Sequence, residues 1–187
     1  MNLNMGCGYD KRQGYVNVDI SPVCQPDVVW DLESLPWPWD DNSIDQVLFN
    51  HSLEHLGHNP RIFLGMMKEL YRVCKDQARI EINVPHPRHD HFIDDPTHVR
   101  VITFGMFGLF DRKSNDEIKR RGSSNTPFAH YLGVDFVAES NMVVLDEPYA
   151  TQYADKQLSD ADVDLLCRER NNIAREIRIV LVARKTS

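Results

Sequence analysis

No stretch of this chain is apolar for long enough to cross a bilayer. A spanning helix needs about 20 such residues, and runs such as Ile179-Val180-Leu181-Val182-Ala183 stop far short. No basic run is present either. Lys119-Arg120-Arg121 is the single cluster in a chain of formal net charge −7. That balance gives no basis for strong electrostatic binding of nucleic acid or of an anionic membrane. The cysteines, Cys7, Cys24, Cys74 and Cys167, include no C-x-x-C pair. Neither a zinc knuckle nor a thioredoxin-like site is indicated, and a reducing compartment is the simplest setting. No secretory leader is visible, so the expected location is the cytoplasm. No internal repeat divides the 187 residues, which suit one domain.

What is present begins at once. Leu3-Asn4-Met5-Gly6-Cys7-Gly8 has the form of a short strand entering a glycine turn, and Val16-Asn17-Val18-Asp19-Ile20 that of a second strand ending in a carboxylate. Glycine lets backbone N–H groups approach a ligand closely, and a carboxylate at the next strand tip suits the two hydroxyls of a ribose. Only 11 positions separate Gly8 from Asp19. A full dinucleotide-binding unit takes about 20, so the intervening helix is expected to be shortened to a turn or two, or lost.

The order continues with Val28-Val29-Trp30-Asp31-Leu32-Glu33-Ser34-Leu35-Pro36-Trp37 and Ser43-Ile44-Asp45-Gln46-Val47-Leu48-Phe49-Asn50-His51. Leu53-Glu54-His55-Leu56 and Glu69-Leu70-Tyr71-Arg72-Val73-Cys74-Lys75 follow. In this series and spacing the chain resembles the class I S-adenosylmethionine-dependent methyltransferases, specifically the type 11 methyltransferase-domain group, well over about residues 2–110 and loosely beyond. The resemblance implies an α/β, single-domain, Rossmann-like fold over 1–187. Its seven-stranded sheet is mostly parallel with the last strand antiparallel, and here the first helix is shortened. It implies S-adenosyl-L-methionine as cofactor, held by Asn4, Gly6, Cys7, Gly8, Asp19, Ile20, Asp31, Leu32 and Asn50. Relatives usually carry Asp or Glu where Asn4 stands, near the methionine amino group. An amide oxygen still accepts that bond, without the charge. Asp31 has a second reading, as a turn cap.

Element by element, strands are expected at 1–5, 15–20, 26–30, 44–49 and 78–84, and a helix at 60–75 capped by Asn59 with Pro60 at its first position. Leu35-Pro36-Trp37-Pro38-Trp39 either walls a pocket or covers the sheet edge. A short helix is expected over 103–110, then a polar loop over 112–126. A strand at 136–145, a helix at 159–171 and a strand at 174–184 close the fold. Residues 85–133 form a variable lid and acceptor region; within it the loop 85–100 is expected to lie over the cofactor's methyl group, partly mobile without ligand, carrying acceptor-binding residues, with Asp95 and Arg100 as a candidate pair. Almost nothing precedes the first strand, which leaves that side of the cleft for solvent or a second subunit; a homodimer is one expectation.

Ligands of open α/β sheets sit beyond the carboxyl ends of the strands. Six of the eight histidines follow strands four and five: His51, His55, His86, His89, His91 and His98. Methyl transfer to a hydroxyl requires a proton acceptor, and His51 is the first candidate base, His98 the second. The same residues offer a metal reading, since Asp, Glu and His suit Zn²⁺, Mn²⁺ or Fe²⁺, but members of the resembled family usually need no metal, and none is assigned. His51-Ser52-Leu53-Glu54-His55 also matches H-x-x-E-H, an inverted zinc-peptidase string. Gly57 and Pro60 leave too little helix to present it, so the match reads as coincidence. No N-P-P-[YF] follows strand four, which argues against methylation of DNA bases or protein glutamine. The expected activity is methyl transfer to a small-molecule or glycan-like acceptor, most simply at oxygen. The alternatives are a cofactor-binding protein without turnover and a metal-dependent hydrolase.

Overall fold

Seven strands form one mixed sheet in the order β3-β2-β1-β4-β5-β7-β6. The structure is a computed structural model and describes residues 1–185. The strands are β1 (Asn2–Met5), β2 (Val16–Asp19), β3 (Val28–Val29), β4 (Ile44–Asn50), β5 (Cys74–Pro85), β6 (Phe136–Leu145) and β7 (Ala174–Ala183). β1 pairs in parallel with β2 and β4, β2 with β3, and β4 with β5. β7 runs antiparallel between β5 and β6. Leu3, Met5, Val47, Leu48, Phe49, Ile80, Ile82 and Val84 are all buried, as residues alternating to two covered faces must be.

Helix α1 (Pro60–Val73) supplies one cover. Phe63, Met66, Met67, Leu70 and Val73 form its buried stripe, and the Asn59 side chain accepts from the Arg61 N–H at its start. The tryptophan loop packs into the core beside α1. Trp37 and Trp39 are buried edge to face, and the Trp37 indole N–H donates to the Leu32 carbonyl. Arg72 clamps the loop through the Trp37 and Trp39 carbonyls while pairing with Glu69, whose carboxyl it holds below the usual range.

One expectation holds in its extreme form and another changes. The link from Gly6 to Tyr15 contains turns and no helix. Side-chain amides take the helix's place. Asn4 Nδ2 donates to the Asp10 carbonyl and to Asn17 Oδ1, and Asn17 bonds both N–H and C=O of Arg12. The stretch 112–126, expected to be a polar loop, opens as a helix. After α2 (Asp90–Ile93) and α3 (Phe104–Phe107) comes α4 (Arg112–Arg120), capped by Asp111 and anchored by the buried Asn115. Its inner contact is an amide rather than an apolar stripe, so hydrophobic periodicity could not reveal it. Arg120 and Arg121 pair with Glu117, which makes the basic cluster a solvated helix end. α5 (Phe128–Leu132), α6 (Tyr149–Ala154) and α7 (Asp160–Glu169) complete the chain, α7 with a Ser159–Asp162 capping box.

Candidate functional site

Met5 and Asp19 both end their strands at one edge of the sheet, where the chain turns sharply. Gly6 has φ +69°, and a Cβ there would lie 2.6 Å from that of Ser52. Glycine is therefore required by the close approach of the segment after β4, whose Ser52 hydroxyl donates to the Met5 carbonyl at 2.7 Å. The Val18 carbonyl accepts from the N–H groups of both Gly6 and Cys7. Asp19 accepts from the Gly8 N–H at 2.8 Å and from the Ser21 N–H at 2.8 Å. Its carboxylate thus fixes the glycine turn and the start of the next segment in one frame.

A cavity of about 340 Å³ opens on this frame, lined in part by Gly6, Gly8, Asp19, Ile20, Asp31 and Leu32. Those are six of the nine cofactor candidates. The other three stand outside the lining. Asn4 is buried in the amide network under the link. The Cys7 thiol is buried, with its pKa pushed up to about 11 mainly by desolvation. Asn50 bridges Asp10 and Asn83. Asp31 both faces the cavity and caps its own turn, through the Glu33 N–H and the Ser34 hydroxyl.

His51 lines the cavity, and its backbone has φ +51°. Its Nε2 lies 2.7 Å from Glu176 Oε2 on β7, while Nδ1 is 3.8 Å from Glu54. Glu176 is the residue that sequence reasoning missed. Burial raises its carboxyl pKa, but hydrogen bonds from Arg178 and His51 outweigh that and hold it below the usual range. The lining also includes Trp30, Ser52, His55 and Leu56.

The six clustered histidines separate. His51, His55 and His98 surround Glu54: His98 Nε2 is 3.9 Å from Glu54 Oε1, and the His55 and His98 rings are 4.6 Å apart. His98 is absent from the cavity lining and stacks on Phe92. His86, His89 and His91 lie elsewhere; His89 is buried against Asp146 at 2.9 Å and caps α2. The H-x-x-E-H string does not assemble as a peptidase centre, because Leu53–His55 is a single 3-10 turn and His51 reaches to Glu176. Asp95 and Arg100 do not pair. Asp95 accepts from Thr97, and Arg100 donates to the Leu56 and Gly57 carbonyls with its guanidinium over Phe63.

Residues 3–82 match the sequence model of the methyltransferase domain family, type 11. No curated protein matches the sequence. Solved structures share the fold at low identity. An S-adenosylmethionine-dependent methyltransferase from Archaeoglobus fulgidus is 18% identical at TM-score 0.61, covering 97% of this chain and 85% of its own. The YcgJ protein of Bacillus subtilis is 14% identical at TM-score 0.54, covering 100% and 92%. A methyltransferase from Methanosarcina mazei is 14% identical at 0.53, covering 99% and 92%. Residues 3–82 thus carry the sequence of a type 11 methyltransferase domain, on a fold shared end to end with S-adenosylmethionine-dependent methyltransferases.

Proposed function

We propose that this enzyme methylates a hydroxyl oxygen of a small-molecule or glycan-like acceptor, with His51 taking the hydroxyl proton. The observation that carries this reading is the placement of His51 on the cavity wall with a carboxylate, Glu176, 2.7 Å from its Nε2. A carboxylate so placed orients an imidazole and stabilises the imidazolium that forms on proton transfer. With Nε2–H donated to Glu176, Nδ1 is left to accept. His98 fits the role less well, being off the cavity lining with its Nδ1 bonded to the Phe92 carbonyl.

The cavity suits the cofactor in size and in donor chemistry. About 340 Å³ lies within the range of roughly 300–1,000 Å³ for small-molecule sites. Asp19 keeps lone pairs beyond those given to Gly8 and Ser21, and these would accept from the ribose hydroxyls. Asp31 would accept from the adenine amine, beside the Leu32 backbone. When bound, the cofactor supplies a sulfonium methyl group with a good leaving group already attached. The protein's part is therefore to align the acceptor, exclude water and receive a proton. Asn4, Cys7 and Asn50 act from behind the lining by holding the link. The region 85–133 would form the acceptor side. Its contact with the site runs through the Glu54 carbonyl, which accepts from the N–H groups of Val99 and Arg100.

The test is a screen of hydroxylated acceptors for S-adenosylhomocysteine formation, run with wild type and His51→Ala. An acceptor turned over by wild type and scarcely by the variant supports the reading. Cofactor binding with no turnover of any acceptor class would favour the non-catalytic alternative.

A further inference from the structure

Glu54 is 1% exposed, and among the described residues neither of its carboxylate oxygens has a hydrogen-bond partner. Leaving a carboxylate so deeply buried without a compensating charge or donor is costly. In the protein as it stands, burial pushes its pKa up. The groups facing it are imidazoles. One ligating atom from each of Glu54, His55 and His98 lies within 4.8 Å of the others.

The two rings are held in the tautomer a metal requires. His98 Nδ1 lies 2.9 Å from the Phe92 carbonyl, which can only accept, so Nδ1 carries the hydrogen and Nε2 keeps its lone pair. Thr97 donates its hydroxyl to Asp95 at 2.6 Å, so its oxygen accepts from His55 Nδ1 at 2.9 Å. His55 Nε2 is left bare as well. A backbone carbonyl on one ring and a carboxylate-backed hydroxyl on the other are the kinds of outer partner that orient metal-binding histidines.

We propose that Glu54, His55 and His98 form a binding site for a divalent transition ion, with Zn²⁺ the best match to two imidazoles and one carboxylate. The proposal stands apart from the assignment of His51 and from the identity of the acceptor. Two ligands of one tetrahedral Zn²⁺ lie roughly 3.4 Å apart. Closing His98 Nε2 and Glu54 Oε1 from 3.9 Å therefore needs a small side-chain adjustment. Three protein ligands leave a fourth position for water or an acceptor oxygen, and His55 lines the cavity into which such a position could open.

The experiment uses the full chain, stripped with chelator and titrated with Zn²⁺ against a chromogenic competitor, then with Co²⁺ for its visible absorption. Wild type should bind one equivalent of Zn²⁺ and give a Co²⁺ spectrum. Glu54→Gln, nearly isosteric and uncharged, and His98→Ala should each weaken Zn²⁺ by at least about 100-fold, and Thr97→Val by about 10-fold. His58→Ala, outside the cluster and exposed, should bind like wild type. Thermal melts report whether each variant is folded; if His98→Ala is not, Glu54→Gln decides alone. Zn²⁺ bound equally by wild type and folded Glu54→Gln, or less than about a fifth of an equivalent in wild type, would overturn the site.

Discussion

Two groups of three histidines look alike in the sequence and differ in the fold. Of His86, His89 and His91, His89 alone has both ring nitrogens bonded among the described residues; His86 is bonded through Nδ1, and the His91 ring lies against that of His89. His89 is buried, and its two ring nitrogens serve Asp146 and the start of α2. The His86 ring accepts from the Arg88 N–H, and its pKa is lowered by burial first and by Arg88 and His89 after that. Among the described residues, His51, His55 and His98 are each bonded on one nitrogen, and the other nitrogens of all three lie near Glu54, which has no partner there, or near the cavity. A histidine with both nitrogens satisfied is finished as a structural element. One bonded on a single nitrogen, with the other facing a cavity or a bare carboxylate, is oriented for a proton, a ligand or an ion.

The largest expected effect tests that division directly. His51→Ala should lower turnover by about 10²–10⁴-fold while cofactor affinity stays within a few-fold. Steady-state rates and calorimetry on the same preparation separate the two quantities. Normal turnover in the variant would mean that His51 is a structural element, as His89 is.

Asp19→Ala sharpens the comparison from the binding side. The carboxylate is proposed to hold the ribose by charge-assisted bonds worth about 1.5–3 kcal/mol, so its loss should weaken S-adenosylmethionine by roughly 10- to 100-fold. It also anchors the Gly8 and Ser21 N–H groups, so Asp19→Asn serves as the control that keeps an acceptor. Unchanged affinity in a folded Asp19→Ala protein would remove Asp19 from the ribose site.

How much of this was legible in the sequence depends on the distance over which each contact acts. The sheet, α1 and its cap follow from local periodicity and capping residues. The glycine turn and Asp19 sit on adjacent parallel strands, and Gly6, Gly8, Asp19, Ile20, Asp31 and Leu32 do line one cavity. Asn4 and Asn17 were not legible as a helix substitute, because a cross-strand amide network leaves no periodic trace. Glu176 lies 125 positions from His51. Antiparallel pairing of β7 with β5 sets Glu176 opposite Pro85, at the strand end where His51 also emerges. Counting back along β7 from that end would have found it, had the register been known. The environment of Glu54 was hidden for a similar reason: only the return of 97–100 against the segment after β4 encloses it.

On the structural side of the comparison, His89→Ala should cost about 1–3 kcal/mol of stability by removing a buried bond and a helix cap. Denaturant unfolding measures the loss. Cofactor affinity and turnover by the folded fraction should remain at wild-type levels. A loss of turnover beyond the loss of folded protein would move His89 into the functional group.

Asp146→Asn gives the smallest effect and tests whether the His89 contact includes charge. The Asp146 carboxyl is held below its ordinary value, first by the hydrogen bond from His89 and then by the Glu147 N–H. A carboxyl whose folded pKa is depressed adds stability that is fully present above its unfolded pKa, about 3.9, and is lost as pH falls through the folded value. The asparagine keeps an acceptor for His89 and loses only the charge. The Asp146 side chain is 34% exposed, so solvent screens the pair and the difference at neutral pH should stay below about 1 kcal/mol. Unfolding free energies of wild type and variant should therefore converge as the pH is taken below about 4. A difference that persists unchanged into acid would show that the contact works by shape and neutral hydrogen bonding alone.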